Sequence, residues 1–308
     1  MVSHPTKPPF SYYGGKQRLA SKICALLPPH TVYVEPFCGS GAVYFKKGLP
    51  QITSSAHYRE VLNDTNHLIV NFFRVMQDQD KMSALCHKLE WTIYSQEEHD
   101  LAKQICKQDI VDSVLSAWAW FCNVNWSFSN VANSSFGSGM YGRELATTHY
   151  NAVQRLHEYR DRLKCTTVMC MPAIKVIEKF DTPQTCFYVD PPYPNADQGH
   201  YSGFTQDDFI ALIDALKNCH GAVLLSCYDN PAVPQGWLKH KFEVFATSTP
   251  MTGKHRGISA PGSRKEQKRT ECVWYKPAST KMREALIPIA KRNFEQLKIN
   301  FEDMLCSV

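Results

Sequence analysis

The stretch that most constrains the fold is Cys186-Phe187-Tyr188-Val189-Asp190-Pro191-Pro192-Tyr193-Pro194. Its apolar residues run without alternation, which predicts a central strand buried on both faces. Pro191 and Pro192 end that strand, since neither donates to a sheet ladder. Asp190 then stands at the carboxyl end of a strand, where ligands bind in open α/β sheets. Pro192 fixes φ and so gives the free carbonyl of Pro191 a defined direction. Asp190 supplies a second acceptor beside it. Two such acceptors hold the two hydrogens of one amino group, and Tyr193 offers a flat face to a planar base. Taken alone, the stretch also reads as a strand end and a proline turn, with Asp190 as a helix cap.

A chain of 308 residues has room for one large domain, or for a domain with an insertion. No apolar run reaches bilayer length, and Met1 to Pro5 carries no apolar signal segment, so a soluble, cytoplasmic protein is expected. The 12 cysteines are scattered without a C-x-x-C pair, which predicts free thiols and no metal site. A net charge of +5 permits a polyanionic partner without requiring one.

Phe10-Ser11-Tyr12-Tyr13-Gly14-Gly15-Lys16 opens the ordered part. The double glycine allows a tight turn or close approach to a ligand. An amphipathic helix follows from Lys16 and Arg18, with Leu19, Ile23 and Leu26 on one face, and ends at Pro28-Pro29. Lys16 is either the start of that helix or a cation placed for a carboxylate or phosphate. The next unit is strand, glycine loop, helix: Thr31 to Val34, Glu35, then Phe37-Cys38-Gly39-Ser40-Gly41, then Ala42 onward. Such a unit brings backbone close to a nucleotide-like ligand. It is neither the full dinucleotide fingerprint nor a phosphate-binding loop. A second strand, Glu60 to Asn63, ends in Asp64, at the distance expected of an acid that holds ribose hydroxyls. Asp64 reads equally as the cap of a helix from Thr65 to Met76.

The pattern changes between 81 and 163. Helical stretches around Ala84 to Leu89 and Gln96 to Lys107 precede the aromatic-rich Val111 to Phe121, and then comes a predicted polar loop. It runs from Asn123 to Asn130, with Asn125, Trp126 and Ser127, and then from Phe136 to Arg143. Asn, Ser, aromatic and Arg side chains are what base-edge and phosphate contacts need. A helix from His149 to Leu163 returns to the sheet. Beyond the central strand come a helix from Thr205 to Lys217, a buried strand from Gly221 to Ser226, and a closing pair, Phe242 to Phe245 with Glu271 to Tyr275. Between the pair lies the densest positive stretch, with Lys254, Arg256, Arg264 and Lys268, read as phosphate contacts or a solvated loop. A charged helix from Thr280 closes the chain.

In order, F-x-Y-Y-G-G-K, E-P-F-x-G-x-G, an acid after the next strand, a polar insertion, D-P-P-Y and a late R-x-E-x-x-W resemble the Dam-like (D12 class, alpha group) DNA adenine-N6 methyltransferases. The resemblance covers roughly the first 277 residues. It implies an α/β, Rossmann-like S-adenosylmethionine-dependent methyltransferase sheet with an inserted, mainly helical target-recognition domain. The implied catalytic domain is 1–80 with 164–308, and the insertion is 81–163. Cofactor contacts are implied at Tyr12, Lys16, Glu35, Phe37, Gly39, Gly41, Asp64 and Asp190. Asp190, Pro191, Pro192 and Tyr193 form the implied catalytic corner. Asn123, Asn125, Ser127, Arg143, Lys254, Arg256, Arg264 and Lys268 are the candidate DNA contacts. The implied partner is double-stranded DNA, and the expected state is a monomer or weak dimer. One departure stands out: Cys170-Met171-Pro172 carries no acid where the family usually has one against the cofactor's adenine, so weaker cofactor binding is expected.

The implied reaction moves a methyl group to N6 of an adenine turned out of the duplex. Cytosine-N4 methylation uses the same amine chemistry, although those enzymes more often have Ser in place of Asp190. A catalytically silent DNA-binding protein would keep the basic loop and lose the cofactor residues, which are present here.

Overall fold

The computed structural model describes residues 5–12, 14–48, 58–109, 111–128, 131–137, 145–193, 203–246 and 267–279. Seven strands make one sheet: β1 (Val32–Glu35), β2 (Arg59–Asn63), β3 (Thr166–Met169), β4 (Thr185–Val189), β5 (Ala222–Cys227), β6 (Leu238–Ala246) and β7 (Gln267–Lys276). Their order is β3-β2-β1-β4-β5-β7-β6. The first five are parallel, and β7 runs antiparallel between β5 and β6. The strand order reverses between β1 and β4. That is the switch point of a doubly wound, Rossmann-like sheet, and its carboxyl end is where a ligand crevice opens.

Helices cover both faces. They are α1 (Ala20–Leu26), α2 (Ala42–Lys47), α3 (His67–Gln77), α4 (Gln79–Glu90), α5 (Gln96–Ile105), α6 (Ser113–Trp126), α7 (Leu145–Gln154), α8 (His157–Leu163), α9 (Ala173–Phe180) and α10 (Gln206–Asn218). On one face Val176 and Ile177 of α9 and Phe209 and Leu212 of α10 share a core with Phe187, Val189, Val223 and Leu225. On the other face Cys186, Tyr188 and Leu224 meet α1, α2 and α3. Burial on both sides is why β4 shows no alternation. α10 starts at a capping box: Thr205 Oγ1 accepts the Asp208 N–H, and the Thr205 N–H donates to the Asp208 carboxylate.

The second of these cores continues into the inserted helices. Phe72 of α3 stacks on Phe121 of α6, with ring centroids 5.9 Å apart and 11° between planes. α8 is tied down by a buried cation. Arg162 donates to both oxygens of Glu60 on β2, and Lys47 of α2 reaches Glu60 Oε1 at 2.6 Å. Two separated carboxylate oxygens in a plane suit the guanidinium fork.

Several expectations change. α6 runs on to Trp126, through residues read as a polar loop. The helix expected from His149 to Leu163 is two helices, α7 and α8. β3 and α9 had no counterpart in the sequence reading. The closing strands are longer than predicted, at nine and ten residues. Arg143, Lys254, Arg256, Arg264 and the helix expected from Thr280 lie outside the described residues, as does the side chain of Lys268. Among the described residues no helix is long and apolar enough to cross a membrane.

Candidate active site

β1 pairs with β4, matching Val34 to Phe187, so the loop after Glu35 lies beside the corner that begins at Asp190. Lys16 enters this crevice from the turn Tyr12 to Gly15, closed by the Gly15 N–H donating to the Tyr12 carbonyl at 2.9 Å. A Cβ on Gly15 would sit 2.8 Å from that carbonyl oxygen, so the turn requires glycine there. The Lys16 ammonium lies 2.8 Å from Asp190 Oδ1 and 3.8 Å from Glu271 Oε1. The one hydrogen of the Tyr193 hydroxyl has two carboxylate acceptors within reach, Glu271 Oε2 at 3.1 Å and Asp190 Oδ1 at 3.3 Å. Lys16 also stands 5.0 Å from the centre of the Tyr193 ring, and Tyr228 packs edge-on to that ring. Both contacts on Asp190 fall on Oδ1; among the described residues none hydrogen-bonds Oδ2.

Burial drives the electrostatics. It pulls the Lys16 ammonium down, but Asp190 and Glu271 outweigh it and hold the lysine above its ordinary pKa. Burial pushes Asp190 up, and Lys16 and Tyr193 offset that only in part.

The glycine loop is fastened from below. Asp64 Oδ2 accepts the Gly39 N–H at 2.9 Å, and its Oδ1 accepts the Asn66 N–H at 2.9 Å. Asn66, not Asp64, caps α3. Asn63 bonds Pro36 and Met171 and so joins the loops after β1 and β3. Gly39 (φ +48°) and Gly41 (φ +71°) occupy left-handed backbone, which admits glycine readily. Glu35 is buried and accepts the Tyr33 hydroxyl at 2.6 Å; burial pushes its carboxyl up to about 8. Phe37 is half-buried and meets Phe204 edge-on. Glu35, Phe37, Gly39, Gly41 and Asp64 therefore share the carboxyl ends of β1 and β2, next to Asp190.

Residues 12–242 match the sequence model of the D12 class N6 adenine-specific DNA methyltransferases. The chain belongs to this family. It is 24% identical over 219 residues to the DNA N-6-adenine-methyltransferase of Escherichia phage P1, covering 68% of this chain and 28% of that protein. It is 25% identical over 239 residues to the DNA adenine methylase of Vibrio cholerae serotype O1, covering 70% of this chain and 79% of that one. The chain thus spans about a quarter of the length of the phage relative. Among solved structures it is similar to the rRNA methyltransferase aviRa from Streptomyces viridochromogenes, with a TM-score of 0.38 and 13% identity over 89% of this chain and 87% of that one.

Lys16, Asp190 and Tyr193 come together with Glu271 around one buried charge cluster, while the Tyr12 ring packs on Phe10 and Trp120 beside Gly39. The residues expected to touch DNA do not join it. Asn123 is buried in α6; its Nδ2 donates to Asn133 Oδ1 at 3.1 Å, and its Oδ1 accepts the Asn133 N–H. Ser127 is buried against His99 Nε2 at 3.0 Å. Both side chains are buried and bonded inside the fold, whereas the sequence expectation put them in a polar loop. Asn125 is half-buried and donates to the Phe121 carbonyl one turn back. Two site residues were missed, Glu271 and Tyr228. Glu271 was within the late R-x-E-x-x-W motif, which was the available signal. Tyr228 follows the buried strand β5 with no motif of its own.

Proposed function

We propose that the chain transfers a methyl group from S-adenosylmethionine to N6 of an adenine turned out of double-stranded DNA. The observation that carries this is the split use of the Asp190 carboxylate. Lys16 and Tyr193 fix Oδ1, and Oδ2 is left for an incoming amino hydrogen.

The cofactor, when bound, supplies an electrophilic methyl carbon on a sulfonium. Gly39 and Gly41 would bring backbone to it, Asp64 would offer remaining lone pairs to ribose hydroxyls, and Glu35, whose carboxyl burial raises to about 8, would hold its ammonium once that cation draws the carboxyl into its ionised form. Tyr193 stacks the base. Asp190 Oδ2 and the Pro191 carbonyl accept the two N6 hydrogens and draw the nitrogen lone pair out of conjugation. Transfer would form the N–C bond as the bond from the methyl carbon to sulfur breaks, with S-adenosylhomocysteine as the leaving group; positive charge would build on N6, and Asp190 would stabilise it until a proton leaves to solvent. Positioning and electrostatics carry the rate, with no covalent enzyme intermediate. Residues 81–163 supply target recognition, and the enzyme acts in the cytoplasm as a monomer or weak dimer.

Asp190→Ala tests the reading. The variant is expected to fold and bind cofactor while N6-methyladenine vanishes from treated DNA; full activity overturns it. The same nucleoside analysis distinguishes cytosine-N4 methylation, because the corner recognises an amine rather than a purine.

A further inference from the structure

Glu271 lies outside the stretch that the family model matches. It sits in β7 opposite Phe242 of β6, and its side chain is 13% exposed. Its Oε1 is 3.8 Å from the Lys16 ammonium, and its two oxygens are 3.1 and 3.4 Å from the Tyr193 hydroxyl. The same ammonium and the same hydroxyl contact Asp190. Two carboxylates thus share one lysine and one phenol.

The charge balance gives Glu271 a task. Lys16 and Asp190 alone form a neutral pair, whose carboxylate is spent on the ammonium. A second carboxylate 3.8 Å from the same ammonium draws part of its charge away from Asp190 and adds negative charge beside it at low effective dielectric. Transfer to an amine builds positive charge beside Asp190, where that excess is useful. The phenol contact adds a geometric task, because the hydroxyl anchors the far end of the ring on which the base would stack. A purely structural acid in a sheet would need neither partner.

We propose that Glu271 is a positioning residue for methyl transfer: it shares Lys16 with Asp190 and tethers the Tyr193 hydroxyl, so that Asp190 Oδ2 and the Tyr193 ring stay set for the amine. This rests on the reading of Asp190 given above. Glu271→Gln keeps the volume and an acceptor for Tyr193 but removes the charge. Its kcat on unmethylated plasmid DNA is expected to fall by about tenfold to a hundredfold, with KM for cofactor changed by less than about threefold. With one like charge gone, Lys16 pairs more fully with Asp190, so the acid limb of the kcat profile moves to lower pH. Glu271→Asp is expected to recover part of the rate. Tyr193→Phe is expected to cost less in the Glu271→Gln background than alone, since the tether is already weakened.

Wild-type kcat and an unmoved acid limb in Glu271→Gln overturn the inference, as does a variant that loses only thermal stability. Asp190→Ala, assayed in parallel, separates the two claims. If it is active, the amine reading fails. If it is inactive and Glu271→Gln behaves as wild type, only the role of Glu271 fails.

Discussion

Lys16 sets its ammonium 2.8 Å from Oδ1 of Asp190, the first residue beyond the central strand. The two side chains are 8% and 17% exposed, so neither charge is well served by water. A buried pair adds little net stability, but removing one partner leaves the other uncompensated.

Lys16→Met therefore leaves Asp190 and Glu271 facing each other with no cation. Asp190, already raised by burial, rises further. A protonated carboxyl no longer offers a charged Oδ2 to the amino hydrogen, so the acid limb of the rate profile moves to higher pH. Near neutrality the rate is expected to drop about a hundredfold or more. Initial rates between about pH 5.5 and about pH 9 check this. A limb that stays in place shows that Lys16 does not govern Asp190.

Tyr193 carries two separable contributions. Tyr193→Phe keeps the stacking face and loses the hydroxyl shared by Asp190 and Glu271, with an expected rate loss of about tenfold. Tyr193→Ala also loses base stacking, worth roughly 1–3 kcal/mol, so a further loss of at least about fivefold is expected. Both variants are compared on one DNA substrate. Equal rates would show that the ring face does nothing for the base.

The legible parts of the chain were those whose signal is local. Phe187-Tyr188-Val189 has no alternation because α9, α10 and α3 bury both faces of the sheet there, and the prolines mark where it stops. The glycine loop and its acids were readable for the same reason. The late motif marked Glu271 but not its neighbours, which are set by an antiparallel register that brings β7 beside β5. Asn123 and Ser127 were misread because their polarity suggested solvent, whereas Asn133 and His99 satisfy them inside the fold. Sequence shows a polar atom but not its partner. β3 is only four residues at the sheet edge, too short for a periodicity to show.

Glu35 makes stability depend on pH. Its carboxyl sits at about 8 in the fold against 4.5 when exposed, so the folded protein holds a proton that the unfolded chain releases. The contribution is fully present below about pH 4.5, falls as pH rises, and is gone once pH passes about 8. Glu35→Gln cannot titrate. Urea midpoints at about pH 5, 7 and 9 are expected to fall more steeply for wild type than for the variant. Parallel curves would place the Glu35 carboxyl in water.

Arg162 holds the end of the insertion to the sheet through Glu60, with its side chain fully buried. Arg162→Met leaves Glu60 with Lys47 and the Tyr58 hydroxyl. Breaking one side of a buried pair costs about 3–5 kcal/mol, so a large drop in the denaturant midpoint is expected. Adding Glu60→Gln is expected to deepen the loss rather than repair it, because Lys47, whose ammonium is 2.6 Å from Glu60 Oε1 and whose side chain is 9% exposed, then becomes the uncompensated buried charge. Transfer per folded molecule should change little in either variant, since neither residue touches Asp190. An Arg162→Met protein with the wild-type midpoint would mean that α8 is held to β2 by apolar packing alone.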